Sequence, residues 1–341
     1  MALGPDGHRL LILRALGLGD LLTAVPALRA LASAYPERER VLAASGVLAP
    51  LAEQIDPGLR VEPTGELEPL PASVCDAGLA VNLHGRGPQS HRVLRDARAR
   101  EFVWFENAEV PESQGAPAWR PREHEVRRWC RLLSESGIPA DPADLDIEPP
   151  PGEPPAAARG ATLIHPGAAS GARRWPAERF AAVARHERSQ GRSVAITGSA
   201  SELPLARLVA ERAGLAPDSV LAGRTRLADL MRAVAAADRV ICGDTGVAHL
   251  ATALRTPSIV LFGPTSPAEW GPPKERPWHR AIWKGTAGDP HARSIDPGLL
   301  DVGVTDVLDA LGAIEVSEPP RTRGASRAHA TARAPRPTRL R

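Results

Sequence analysis

The chain has 341 residues, of which 43% are hydrophobic, a composition typical of a globular protein long enough for two domains. Its formal net charge of +2 is unevenly distributed, because residues 317–341 hold seven arginines and one glutamate and contribute +6, which leaves −4 on the rest. The folded part is therefore not basic, which argues against nucleic-acid binding.

No apolar run reaches the roughly 18 residues of a membrane span, and the N-terminus lacks the order of a signal peptide. We therefore expect a cytoplasmic protein. The three cysteines are far apart, which argues against a disulfide framework and a thiolate metal site. The arginine- and proline-rich segment 317–341 has almost no large apolar residues, so we predict that it is disordered; peripheral association with the inner face of a membrane stays open.

The first half of the chain predicts alternating strands and helices, a pattern typical of a parallel α/β sheet. The predicted elements are a strand at 9–15, a helix at 21–35, and strands at 40–44, 77–83 and 101–105, with helical patterns between the strands. The segment 148–160 is too rich in proline for a helix or a central strand. We interpret it as a linker that ends an N-terminal domain at 1–150.

The same alternation repeats after the linker and predicts a C-terminal domain at 156–314. Its predicted strands lie at 161–167, 192–198, 218–223, 238–243 and 257–263, and its helices at 175–191, 201–213, 226–237 and after Asp244. Two doubly wound domains would then face each other. Because such sheets bind ligands beyond the carboxyl ends of their strands, the loops at these ends are the favoured functional positions.

The first of these loops contains Gly17, Gly19 and Asp20. A dinucleotide-binding fingerprint would need a third glycine where the chain has Leu22, so a nicotinamide cofactor is disfavoured. Asp20 is either an N-cap of the following helix or a general base that takes a proton from an attacking hydroxyl in the cleft.

The second loop places Arg173 and Arg174 before a helix that starts near Pro176. A guanidinium beside the free N–H groups of a helix start is suited to a diphosphate. The alternative is an ordinary solvated pair. Adjacent side chains diverge, so we expect at most one of the two arginines to be functional, and the sequence does not choose between them.

The third loop, CGDTGVAHL, opens a helix with Asp244, Thr245, Gly246 and His249. The helix start offers N–H donors to a phosphate, and the glycine permits close approach. Thr245 and His249 share one helix face because they are four residues apart. Asp244 is either a helix cap or a group that binds the hydroxyls of a sugar.

A fourth segment, NLHGRGPQSHR at 82–92, carries His84, Arg86 and His91 after a predicted strand. These side chains would either line an anionic acceptor site or belong to an ordinary surface loop.

Three motifs, in this order and separation, resemble those of glycosyltransferase family 9, the heptosyltransferase-like enzymes. They are LGLGDLLTAVPALRAL, HPGAASGARRWPAERFAAVA, and the block from AGRTRLADL through CGDTGVAHLATAL to FGPTSPAEWGP. The resemblance extends from the first strand to Pro272, and the DTGVAHLA-to-FGPT block is its most specific part.

This resemblance implies a GT-B fold, in which two Rossmann-like domains face each other across a cleft. The N-terminal domain would hold the acceptor, and the C-terminal domain would hold a nucleotide sugar, typically ADP-heptose. Transfer would invert the anomeric centre without a metal or other cofactor, and we expect a monomer. By motif, Asp20 matches the family's catalytic base, and Arg173 or Arg174 matches the position that contacts donor phosphate. The resemblance also implies which residues bind the sugar and the diphosphate; these are Asp244, Thr245, Gly246 and His249.

The predicted function is therefore the transfer of a sugar, a heptose from ADP-heptose, to a hydroxyl of a surface glycan or small aglycone. A GT-B enzyme acting on another nucleotide sugar, or an epimerase, would keep the same loops. A protein that only binds a nucleotide sugar would show binding without turnover. The sequence does not name the acceptor.

Overall fold

The computed structural model describes residues 8–315, and the predicted disordered segment at 317–341 lies outside them. The described chain forms two five-stranded sheets in which all paired strands are parallel. The first sheet contains β1 Arg9–Leu13, β2 Glu39–Ala44, β3 Leu59–Pro63, β4 Leu79–Asn82 and β5 Glu101–Val103, in the order β3-β2-β1-β4-β5. Its helices are α1 Leu18–Thr23, α2 Val25–Ala34, α3 Ala49–Ile55, α4 Gln89–Asp96 and α5 Glu125–Glu135.

The helix predicted at 21–35 is two helices, and a proline explains the break. Pro26 lies in the first turn of α2 and has no N–H to donate to the carbonyl of Leu22. The N–H of Ala24 instead donates to the carbonyls of Leu21 and Leu22, which ends α1 after one and a half turns. The short α1 thus becomes a separate element that carries Asp20.

The second sheet contains β6 Thr162–His165, β7 Val194–Ile196, β8 Arg239–Gly243, β9 Ser258–Phe262 and β10 His279–Trp283, in the order β10-β9-β8-β6-β7. Its helices are α6 Ala177–Ser189, α7 Leu203–Ala213, α8 Leu227–Ala236, α9 Gly246–Ala253, α10 Pro267–Trp270, α11 Pro297–Leu300 and α12 Val304–Glu315. The strand predicted at 218–223 is absent as a strand, because Val220 forms only an isolated bridge to Ile196.

Both sheets are doubly wound, since strand order runs outward in opposite directions from the central pairs β1/β4 and β6/β8. The predicted α/β fold class is confirmed. One apolar cluster continues from the first sheet into the second: it includes Leu21 and Leu22 of α1 together with Val247 and Leu250 of α9. Because α1 follows the carboxyl end of β1 and α9 follows that of β8, this packing joins the two edges at which doubly wound sheets bind ligands.

Candidate functional site

Two glycines allow α1 and α9 to touch. A Cβ added to Gly246 would lie 2.9 Å from the Cβ of Leu18 and 3.1 Å from the backbone nitrogen of Gly19. A Cβ added to Gly19 would lie 2.9 Å from Cδ2 of His249. A side chain at Gly246 would press on the backbone of α1, and one at Gly19 would press on the ring of His249. The two glycines therefore permit the short distance between α1, which carries Asp20, and the start of α9.

Asp20 occupies the third position of α1 rather than its N-cap, which is Gly17. One carboxylate oxygen accepts a hydrogen bond from the N–H of Gly17 at 3.2 Å, and the other lies 3.9 Å from Nη2 of Arg14. The side chain is 30% exposed. The N-cap alternative is therefore wrong, although Asp20 supports the helix start from the third position and presents its carboxylate to solvent.

Arg14, at the carboxyl end of β1, is fully buried beneath Asp20. Its Nε donates to the carbonyl of Asp20 at 2.7 Å, Nη1 donates to the carbonyl of Leu83, and Nη2 donates to the hydroxyl of Thr23 at 3.0 Å. Glu125 of α5 balances the charge at 3.5 Å. The guanidinium ties β1, α1, β4 and α5 together at the point where Asp20 emerges.

His249 lies on α9 against Gly19 and makes an edge contact with Trp270, with ring centroids 5.9 Å apart. Burial is the main cause that lowers the pKa of its imidazole from 6.5 to about 4; Asp20 opposes the shift, while His124 and Arg14 act in the same direction as burial. The imidazole is therefore neutral at physiological pH and offers one N–H donor and one acceptor nitrogen.

Asp244 is 5% exposed and does not cap α9. The N-cap is Thr245, whose hydroxyl accepts from the N–H of Val247 at 3.3 Å. Burial raises the pKa of Asp244 above its ordinary value, Asp20 raises it further, and Arg173 and a hydrogen bond from Thr265 oppose the rise. The effect of Asp20 on the pKa of Asp244 acts across the α1–α9 contact.

The two adjacent arginines point in different directions. Arg173 donates to the carbonyl of Asp244 at 3.3 Å, and the same nitrogen lies 3.9 Å from the Asp244 carboxylate. Arg174 is exposed, donates from Nε to the carbonyl of Ala168 at 2.9 Å, and lines a separate cavity of about 390 Å³ with His291 and Arg293. Of the two, Arg173 is the one that reaches the group formed by Asp244, Thr245 and Gly246.

The fourth segment divides between the surface and the core. His84 is partly buried, and burial together with Arg14 lowers its pKa, while Glu66 and Asp20 oppose the shift. Arg86 is exposed. His91 is fully buried, with Nε2 2.7 Å from the carbonyl of Phe105, so it is a core residue and does not line an acceptor site.

Two polar residues near these loops were missed in the sequence. Arg14 ends the apolar strand RLLILR. A charged residue at the end of a buried strand is uncommon, and this could have marked Arg14 as a residue to examine. Glu202 follows β7, and a Cβ added to Gly167 would meet its carboxylate at 2.1 Å. Burial opposes ionisation of Glu202, but hydrogen bonds from Ser199 and the charge of His165 outweigh it and lower its pKa. Glu202 lies three residues after Ser199, the spacing of an ordinary capping box, so nothing in the sequence marked it as a site residue.

Within residues 8–315, no group of three or more His, Cys, Asp or Glu side chains is arranged to hold a metal ion. None of the helices in the same range has both the length and the apolar character needed to cross a membrane.

Comparison of the fold with solved structures finds extensive similarity at low sequence identity. The ADP-heptose LPS heptosyltransferase II of E. coli matches with a TM-score of 0.72 and 21% identity over 91% of this chain and 99% of that one. A family 9 glycosyl transferase from Veillonella parvula matches with a TM-score of 0.72 and 20% identity over 93% and 99%. The E. coli heptosyltransferase WaaC, solved with ADP, matches with a TM-score of 0.65 and 18% identity over 89% and 99%. These structures establish the GT-B fold.

Comparison with curated proteins found no match. The family model described as glycosyltransferase family 9 (heptosyltransferase) matches residues 97–287, which is more than half of the chain. This range includes Arg173 and the start of α9, whereas Asp20 precedes it. The predicted resemblance is confirmed: the chain belongs to glycosyltransferase family 9 and is a glycosyltransferase.

Proposed function

We propose that this enzyme transfers a heptose from ADP-heptose, with inversion at the anomeric carbon, to a hydroxyl of a surface glycan or a small aglycone. In this proposal the N-terminal domain, residues 1–150, holds the acceptor, and the C-terminal domain, residues 156–314, holds the donor. The observation that carries it is the convergence of Asp20, His249, Asp244 and Arg173 where α1 meets α9. The names of the similar solved structures support the choice of donor.

The donor diphosphate would lie at the start of α9, where the first N–H groups of the helix have no intrahelical partner. Thr245 and Gly246 supply these groups, and the absence of a side chain at Gly246 lets α1, which carries Asp20, pack against them. Arg173 adds a charged donor from the neighbouring β6 loop. His249, whose pKa is lowered to about 4, would donate an N–H rather than a full charge. Asp244 would accept hydrogen bonds from sugar hydroxyls.

In the proposed reaction the acceptor oxygen attacks the anomeric carbon from the face opposite ADP, and the bond from that carbon to the diphosphate oxygen breaks. Asp20 takes the proton of the attacking hydroxyl. Negative charge grows on the departing ADP, and Arg173 with the N–H groups of α9 stabilises it. No step uses a metal or another cofactor, and the enzyme acts as a monomer.

Replacement of Asp20 by asparagine tests this assignment. The amide keeps the size of the side chain but cannot take the proton, so we expect transfer to fall at least about a hundredfold while the Kd for ADP-heptose changes less than about threefold. Transfer is measured as ADP release with extracted cell-surface glycans, and donor affinity by calorimetry. Asp309→Asn, at an exposed position of α12, is the matched control. Retained turnover in Asp20→Asn would remove Asp20 from its role.

The donor itself is tested separately with a panel of ADP-, GDP-, UDP- and dTDP-sugars. We expect ADP-heptose to bind most tightly and the product to have the inverted anomeric configuration by NMR. If another nucleotide sugar binds more tightly, the assignment of the donor is wrong but the assignment of the binding site stands. If the sugar nucleotide is converted to an epimer and no sugar is transferred to any glycan, the enzyme is an epimerase.

A further inference from the structure

A cavity of about 670 Å³ opens at the carboxyl ends of β4 and β5. This volume is within the range of about 300–1,000 Å³ that small-molecule sites usually have. Its polar and aromatic lining comes from Arg86, Gln89, Glu106, Asn107, Glu109 and Trp119. None of these side chains belongs to the group at the α1–α9 contact.

The cavity adjoins the segment that carries Asp20. β1 and β4 are neighbours, with Leu13 paired to Asn82, so the loops that follow them leave the sheet side by side. Arg14 donates to the carbonyls of both Asp20 and Leu83. Three residues further along, Arg86 already lines the cavity, and its carbonyl accepts from the side chain of Asn107 at 2.9 Å. The cavity and Asp20 therefore lie beyond the carboxyl ends of neighbouring strands of one sheet.

The two loops that form the cavity are held together by contacts within the protein. Gly87 has a φ of +75°, and a Cβ at this position would lie 2.3 Å from Nδ1 of His91. His91 is in turn held by the carbonyl of Phe105 and stacks on Trp104, with ring centroids 4.9 Å apart. The loop after β4 is thus packed directly against the loop after β5, which lowers the ordering cost of binding.

The charges that line the cavity do not suit an anion. Arg86 is the one basic residue among the lining side chains, and it is opposed by two carboxylates, Glu106 and Glu109. Glu109 also pairs with Arg92, at 3.1 Å. An acceptor with several phosphate or carboxylate groups would meet like charges, whereas carboxylates and the amide of Gln89 are good partners for sugar hydroxyls.

Trp119 supplies an apolar surface in the same cavity. Its ring is partly buried between Phe105 and Trp129 in edge contacts, and the guanidinium of Arg128 lies 4.2 Å from its centroid. A ring held on several sides loses little freedom on binding, and an aromatic surface flanked by a few polar groups is the usual composition of a small-molecule site.

We propose that this cavity binds the acceptor as an uncharged, polyhydroxylated sugar that packs on Trp119 and donates hydroxyls to Glu106. The assignment as acceptor site rests on the proposed transferase function. It differs from the anionic acceptor site that was one of the two alternatives for the segment with His84, Arg86 and His91.

The test uses binding of simple sugars to the full chain, without donor, by saturation-transfer NMR. The probes are methyl glycosides of glucose, galactose and mannose, each paired with its uronic acid glycoside, which differs only by a carboxylate at C6. We expect at least one neutral glycoside to bind and its uronide to bind about fivefold more weakly, the factor for two unit charges about 4 Å apart in water. Glu106→Gln with Glu109→Gln should narrow this difference.

Trp119→Ala should abolish the signal of the neutral glycoside, and Trp119→Phe should keep part of it. Trp283→Ala, at an exposed tryptophan on β10, is the matched control and should bind normally. The proposal is overturned if the uronides bind as well as the neutral sugars, if no neutral glycoside binds, or if binding survives in Trp119→Ala. The enzyme could bind neutral glycosides through Trp119 and yet fail to use ADP-heptose. That result would overturn the proposed function but would still support the sugar site in this cavity.

Discussion

At the scale of single residues, Arg14 determines where Asp20 stands. The side chain of Asp20 makes one hydrogen bond, to the N–H of Gly17, while its backbone carbonyl is held by both Arg14 and the hydroxyl of Thr23. A buried guanidinium is stable only with a partner, and Glu125 provides it. The position of the proposed base is therefore fixed from the backbone side, which leaves its carboxylate available to a substrate.

The divergence of the two arginines predicts different effects on donor binding. Charge-assisted hydrogen bonds contribute about 1.5–3 kcal/mol, so Arg173→Ala should raise the Kd for ADP-heptose about ten- to hundredfold. Arg174→Ala should change it less than about threefold, and Arg173→Lys, which keeps the charge but not the forked donor, should fall between them. Calorimetry on the three variants decides the matter; a larger effect of Arg174→Ala would move the diphosphate toward the cavity that Arg174 lines.

At the scale of elements, the contact between α1 and α9 depends on the absence of side chains at Gly19 and Gly246. Both glycines are packed against the opposite helix, and the α1 atoms near Gly246 include a backbone nitrogen that cannot rotate away. A methyl group here must displace a helix, not a flexible side-chain end. The same close contact positions Asp20 relative to the N–H groups of α9, so packing and proposed catalysis depend on one interface.

Gly246→Ala should therefore reduce both stability and transfer. Overpacking of this kind costs about 1–3 kcal/mol, measurable as a lower midpoint in urea unfolding. Gly312→Ala is the matched control, since nothing lies within 4 Å of a Cβ at that position of α12 and alanine is favoured over glycine in a helix by about 0.5–1 kcal/mol. If both variants are equally stable, the close approach of α1 and α9 is not required for the fold.

At the scale of the whole molecule, burial of neutral histidines makes stability depend on pH. His279 is 6% exposed, and burial, with Arg276, lowers its pKa to about 3. Burial is also the main reason for the low pKa of His249, about 4. Between pH 6.5 and 5 the unfolded chain binds protons at these positions that the folded chain does not. The stabilisation is fully present above pH 6.5 and is lost as the pH falls.

We expect the free energy of unfolding to fall as the pH is lowered from 6.5 to 5, by up to about 1.4 kcal/mol per pH unit for each such histidine. Asp244, whose pKa is raised, acts in the opposite sense and offsets part of the slope. Urea unfolding across this range measures the effect. His279→Gln should reduce the slope, whereas His8→Gln, at an exposed position, should leave it unchanged. Equal slopes in the two variants would contradict the assignment.

The sequence by itself determined the fold class and the loops that carry the polar groups. Alternating apolar strands and amphipathic helices are local patterns, and a parallel doubly wound sheet places its loops at known edges whatever their detailed shape. Family membership could also be predicted, because motifs such as DTGVAHLA are short and can be recognised without knowledge of the tertiary structure. The strand predicted at 218–223 was wrong, since strand formation depends on a neighbour with which to pair.

Only the tertiary structure decided which groups meet. Arg173 and Arg174 are equivalent in sequence, and the direction of each side chain depends on how β6 and β8 lie side by side. His91 appeared suited to a site, yet it is buried under Gly87. The pairing of Arg14 with Glu125 joins residues far apart in the chain. Such contacts are set by packing between distant segments, and burial then determines charge: the neutral state of His249 follows from its surroundings and not from its motif.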